Sequence, residues 1–207
     1  MQMENLENTR RLPSGEGFMD DRNFNDLIYA YLQAVSYREP SKKDRYVWKR
    51  DFIKKDVAKT LKINFRTFQR RFDYLVENGY VIVKDEIYEL PKISEYNFYI
   101  PLDTLKYLID TTNEDVIRMY VYLGQLKKCM GKESYFTKSK LLILMGYKTT
   151  APDGVKASTN KRDWERINNI LDMLENKLEL IECKKVYEPY KNGTVEKIYY
   201  DLYTEIA

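Results

Sequence analysis

The sequence predicts a mainly helical α+β chain in which small β-hairpins close short helical runs, built as two similar units in tandem. Three observations carry that prediction. Apolar residues recur at helical spacing in several separate stretches. Two of those runs are followed by alternating stretches broken by turn residues. The cationic side chains gather into two blocks, one in each half of the chain.

Residues 1–19, with Pro13, Ser14, Gly15 and Gly17 among scattered charges, show no periodicity and are expected to form a flexible N-terminal tail. The first unit is placed at 20–98. From Asp20, the residues Phe24, Leu27, Ile28, Tyr31 and Leu32 make one apolar stripe, and Pro40 ends that segment. A second helix is expected over 49–61, with Phe52, Ile53, Val57 and Leu61 inward and Lys54, Lys55 and Lys59 outward. Lys62-Ile63-Asn64 then breaks the pattern, and Asn64 is suited to cap a further helix. That third helix, over 65–78, is expected to bury Phe65, Phe68, Phe72, Leu75 and Val76. At about 100° per residue that stripe turns Arg66 and Arg70 away from the core, with Thr67, Gln69, Asp73 and Tyr74 on the flanks. Gly79 supplies a left-handed stop, and 80–83, a Lys84-Asp85 turn and 86–90 read as a β-hairpin.

The second unit is placed at 99–207. Ile100-Pro101-Leu102-Asp103 opens a short helix to Ile109, and Asn113 caps a longer one carrying Val116, Ile117, Tyr120, Val121, Leu123 and Leu126 until Gly131. Thr137 is suited to cap a helix through Leu141, Leu142, Leu144 and Met145, ended by Gly146. The polar stretch 148–160, with Pro152 and Gly154, is long for a turn inside a domain and reads either as a mobile loop or as a loop that touches a ligand. The next helix spans 161–176, with Trp164, Ile167, Ile170, Leu171 and Leu174 inward and Lys161, Arg162, Glu165 and Asn169 outward. Strands over 178–186 and 195–204 then flank Asn192-Gly193, a type I′ hairpin signal.

Composition narrows the chemistry. The 207 residues contain no histidine, so imidazole general-base catalysis, a Ser-His-Asp triad and His-based metal or tyrosine-nickase sites are excluded despite 19 tyrosines. There is no phosphate-cradling Gly-rich loop and no G-x-S-x-G turn, so the expectation is a protein that is not an enzyme and needs no cofactor or metal. Cys129 and Cys183 cannot build a disulfide framework or a zinc site by themselves, and are expected to be inert. No apolar run is long enough to cross a bilayer, and the start, MQMENLENTRR, lacks the apolar core of a signal peptide. The expected compartment is the cytoplasm, with no membrane partner.

The net charge of +3 conceals a pattern. Segments 1–41, 72–126 and 167–207 carry −3, −6 and −3, whereas 42–71 carries +9 and 127–166 carries +6. An anionic partner responds to such local fields rather than to the total.

The order helix, helix, three-residue turn, helix, hairpin resembles the winged helix-turn-helix superfamily, most visibly in DVAKTLKINFRTFQRRFDYLVENGYVIV (56–83). The junction from Leu75 to Val81 has that superfamily's pattern of two apolar residues, two variable ones, a glycine and two bulky ones. The resemblance implies two winged-helix units in tandem, each presenting its third helix to the major groove of double-stranded DNA. On this reading Arg66, Thr67, Gln69 and Arg70 in the first unit, and Arg162 and Asn169 in the second, are the base-reading candidates. Lys49, Arg50, Lys54, Lys55, Lys59, Lys62, Arg71 and Lys84 are phosphate candidates in the first unit, and Lys138, Lys140, Lys148, Lys156 and Lys161 take those places in the second. Phe68, Phe72 and Trp164 belong to the core by their spacing, and Tyr199, Tyr200 and Tyr203 are expected to be packing residues of a strand.

Tandem winged helices look like the replication initiators of plasmids and phages, in which a monomer binds repeated origin sequences. The expected function is therefore a sequence-specific DNA-binding protein of that initiator or origin-binding kind, monomeric or homodimeric. A transcriptional regulator is the close alternative, and either would meet proteins of the replication or transcription machinery. Winged helices also mediate protein assembly, and the acidic segment with Asp103, Asp110, Glu114 and Asp115 could then carry a partner surface. No ligand-sensing segment is evident beside the two units, which favours the initiator over the regulator.

Overall fold

The computed structural model describes residues 8–14, 26–39, 44–92, 97–131, 134–145, 161–190 and 193–203. The described residues form an α+β structure with seven helices and three small antiparallel sheets. The first half runs β1 (Thr9–Pro13), α1 (Asp26–Val35), β2 (Arg45–Trp48), a 3-10 turn at Lys49–Asp51, α2 (Lys54–Thr60), α3 (Phe65–Glu77), β3 (Ile82–Val83) and β4 (Ile87–Leu90). The second half runs β5 (Asn97–Pro101), α4 (Leu102–Thr111), α5 (Glu114–Met130), β6 (Tyr135–Phe136), α6 (Lys138–Leu144), α7 (Lys161–Asp172), a π turn at Met173–Lys177, β7 (Ile181–Tyr190) and β8 (Gly193–Leu202).

The two halves share a plan. Each has a helix, a strand, two further helices and a hairpin, and each hairpin takes the earlier strand onto its second strand. The sheet orders are β2-β4-β3 and β6-β8-β7, antiparallel throughout. The first half is filled by rings: Phe72 stacks on Phe68 at 6.1 Å and meets Phe52 at 5.8 Å and the edge of Tyr88 at 5.2 Å. The second is filled mainly by buried aliphatic residues, among them Leu141, Leu142, Ile167, Leu174, Leu180 and Ile198, with Phe136 against Tyr200 at 5.5 Å.

Helix ends obey the expected chemistry. The Asn64 side chain accepts from the Arg66 N–H, Asn113 accepts from the N–H groups of Asp115 and Val116, and Thr137 accepts from that of Lys140. Gly79 has φ 72° and Gly131 φ 66°, left-handed values that stop α3 and α5.

Several expectations are corrected. Residues 9–13, expected to lie in a flexible tail, form β1 and pair with β5 from Thr9↔Pro101 to Pro13↔Asn97. Arg10 and Leu12 are buried there, and the Arg10 Nε donates to the Gln33 carbonyl at 2.8 Å. The strand depends on a partner far along the chain, so no local periodicity announces it. The helix expected over 49–61 is interrupted, because the Lys49 N–H is held by the Glu86 carbonyl at 2.9 Å and belongs to the sheet side. Ile53 then stands as an extended residue just before α2 and is 57% exposed rather than inward. Phe65, at the first position of α3, is 39% exposed, since side chains of a first turn lean back beyond the helix and off the core. Trp164 and Val76 are half-buried at the core margin. Of the tyrosines, Tyr200 is buried but Tyr203 is 45% exposed. Tyr190 pairs with Gly193, so Gly193 already lies on β8, and Asn192 lies outside the described residues. Pro40, Gly146 and the 148–160 stretch also lie outside them.

Two positions on the outer edge of β7 are blocked chemically. The Cys183 N–H, turned away from β8, is taken by the Glu175 carboxylate at 2.9 Å, and Pro189, on the same side of the strand, has no N–H to offer. Burial, with Glu175 nearby, pushes the Cys183 thiol up to about 12, which keeps it protonated and unreactive at neutral pH.

Candidate nucleic-acid interface

The turn between α2 and α3 is built by the backbone. The Ile63 N–H returns to the Ala58 carbonyl at 2.9 Å and the Lys62 N–H to Lys59 at 3.1 Å. Lys62 sits at φ 55°, a left-handed conformation that costs a non-glycine residue about 1–2 kcal/mol. With Phe68, Phe72 and Leu75 buried, α3 can present only one face outward, and Arg66, Gln69 and Arg70 are exposed on it. Thr67 is half-buried beside them. Among the described residues, the Arg66 and Arg70 side chains have no intramolecular ion pair or hydrogen bond, and neither have the exposed Lys55, Lys59 and Lys62. Five cationic groups are thus available on α2, the turn and α3.

Other first-half candidates are engaged. Lys49 lies over the Tyr88 ring at 5.6 Å, Arg50 over Trp48 at 5.1 Å and Lys54 over Phe72 at 4.1 Å. A ring face holds a cation without neutralising it, so these charges still contribute to the local field. Lys84 is ion-paired with Glu89 across the hairpin, and Arg71 reaches the Glu114 carboxylate at 3.0 Å. These two are therefore structural contacts first, and a phosphate would have to displace a carboxylate from each.

In the second half, Lys140, Lys161, Arg162 and Asn169 are exposed. Lys161 lies 3.7 Å from Glu165 and Lys138, half-buried, 3.9 Å from Glu196. Lys148 and Lys156 lie outside the described residues. A backbone landmark aligns the halves: the Val81 N–H donates to the Leu75 carbonyl at 3.0 Å, and the Leu180 N–H to the Leu174 carbonyl at 2.9 Å. A constant shift of 99 residues relates both pairs and carries buried Phe68 and Phe72 to buried Ile167 and Leu171. The same shift sets Arg66 against Glu165, Gln69 against Asn168 and Arg70 against Asn169.

One arrangement was not anticipated. The first turn of α5 receives an arginine from each outward-facing helix: Glu114 takes Arg71 of α3, and Asp115 pairs with Arg166 of α7. Two of the four acids considered as a partner surface are thus occupied within the chain. Acidic residues after an Asn cap read simply as helix-dipole partners, so only spatial adjacency discloses their arginines. Asp103 and Asp110 are exposed.

Among the described residues, no group of three or more His, Cys, Asp or Glu side chains could hold a metal ion, and no helix is long and apolar enough to cross a membrane. Compared with known protein families and with curated proteins, the sequence matches no family model and no curated relative.

Proposed function

We propose that this protein binds double-stranded DNA sequence-specifically through two winged helix-turn-helix units in tandem, and that it acts as a replication initiator or origin-binding protein of the plasmid or phage kind. The observation that carries the reading is the α3 face, where Arg66 and Arg70 stand one turn apart, exposed and unpaired among the described residues, beside Lys55, Lys59 and Lys62. An α-helix of this kind fits the major groove, and an arginine there can give two hydrogen bonds to guanine O6 and N7. The lysines supply phosphate contacts, which position the helix without reading sequence. The shared plan of the two halves supports a second contact by the same chain. One polypeptide can then address successive groove faces about 34 Å apart, as recognition of a repeated or asymmetric origin element requires.

The test is binding to random duplex over a range of salt, followed by binding to duplexes selected from a random pool. The log of the association constant should fall with log salt at about −0.9 per phosphate neutralised. Arg66→Ala and Arg70→Ala should each reduce discrimination between selected and random duplex by about 1–3 kcal/mol, while Lys55→Ala weakens both alike. Absence of binding at low salt, or affinity independent of salt, would remove the proposal. A palindromic selected site would move it from origin binding to a dimeric regulator.

A further inference from the structure

The two outward-facing helices, α3 and α7, occupy matching places in the two halves but carry different side chains. The 99-residue shift that superimposes Leu75 on Leu174 and Val81 on Leu180 replaces the two arginines of α3 by Glu165 and Asn169 in α7. Both α7 residues are exposed, and Asn168 and Asn169 have no intramolecular partner among the described residues. Glu165 has Lys161 one turn back at 3.7 Å, so the neighbouring cation is partly spent within the helix.

The base chemistry of these groups differs. Guanine offers two acceptors in the major groove, O6 and N7, which match the paired donors of arginine and repel a carboxylate. Adenine offers the N7 acceptor beside the N6 donor, which matches the amide of asparagine. We infer that the two units read different bases: α3 takes guanine through Arg66 and Arg70, whereas α7 takes adenine through Asn169, with Glu165 excluding guanine next to it. The target is then a composite element with a guanine-bearing half and an adenine-bearing half, not one motif used twice. Arg71 meets Glu114 and Arg166 meets Asp115, so both helices flank the first turn of α5 and one chain presents the two halves together. This inference rests on the DNA-binding reading.

Selection from a random duplex pool with the full chain, Arg66→Ala, Asn169→Ala and Asn169→Arg tests it. The unaltered protein should enrich a two-part motif. Arg66→Ala should lose preference at guanine positions only, and Asn169→Ala at adenine positions only, each by about 5- to 150-fold. Asn169→Arg should exchange adenine for guanine in its half. All three variants change surface sites, and thermal melting would verify that they fold. If the pool yields the same guanine element in both halves, or if Asn169→Ala leaves the motif unchanged, the inference is overturned while DNA binding stands. If no duplex is enriched even at low salt, both fall together.

Discussion

The two halves of this chain solve one structural problem with different side chains. In the first, four rings, Phe52, Phe68, Phe72 and Tyr88, meet in one cluster behind α3. In the second, Ile167, Leu171 and Leu174 fill the space behind α7 with aliphatic volume. The left-handed stop after the outward helix is Gly79 at φ 72° in one half, whereas the other passes through a π turn and reaches Glu179 at φ 53°. A core asks for apolar volume at the right period, not for particular residues, and a helix end asks for one left-handed residue. The outward faces carry no such demand, and there the halves part company in charge as well as in shape.

The two cores should differ most in what a truncation costs. Phe72→Ala should cost about 3–5 kcal/mol, because it removes the ring that the other three contact; Ile167→Ala should cost about 2–5 kcal/mol. Urea unfolding with a probe in each half would show whether the loss stays in one half or unfolds both. A single shared transition would mean that the halves behave as one cooperative body.

Alkaline titration gives the next effect. Burial pushes Tyr29 of the first half up to about 12, and raises Tyr120 and Tyr200 of the second. Each folded value lies above the unfolded value near 10, so the protonated form is favoured by folding. The contribution is complete below about pH 10 and is lost as pH rises through the folded values. At about 1.4 kcal/mol per pKa unit, Tyr29 alone accounts for roughly 2–3 kcal/mol. Absorbance of phenolate against pH should show these three ionising only as the protein unfolds. Ionisation near pH 10 with the fold intact would contradict the burial.

The second half is tightly packed where its first strand meets its longest helix. A Cβ at Gly124 would overlap the Phe98 ring, where β5 crosses α5. Gly124→Ala should destabilise by about 1–3 kcal/mol, and Gly124→Ala with Phe98→Leu should recover part of it. Melting temperatures of the single and double variants would measure that coupling.

The smallest effect belongs to the α5 ion pair. A cycle of Arg71→Met and Glu114→Gln should yield a coupling of about 0.5–1 kcal/mol that shrinks with salt, since both groups are about one-third exposed. A coupling of zero would mean that α3 is positioned by its apolar face alone.

Much of the scaffold of the candidate site is legible in the sequence because it is local. The apolar period of α3, its Asn64 cap and Gly79 stop act over a few residues, and Arg66 and Arg70 are placed outward by subtraction once the buried stripe is known. The strand β1 is not legible, for its pairing partner lies some ninety residues away and only Leu12 supplies an apolar cue. Arg71 shows the same limit within one helix: its neighbour Arg70 is unpaired among the described residues, while Arg71 meets Glu114 from another part of the chain.

Residue order alone establishes the helical periods, the caps, the segregation of charge and the absence of imidazole chemistry, since each depends on neighbours a few positions apart or on composition. Which cations remain available, how β1 and β5 join the halves, and how α3 and α7 meet at the first turn of α5 depend on groups distant in sequence. Such contacts cost loop-closure entropy and form only where the packed whole brings them within hydrogen-bond reach, so they emerge from the fold and from nothing shorter.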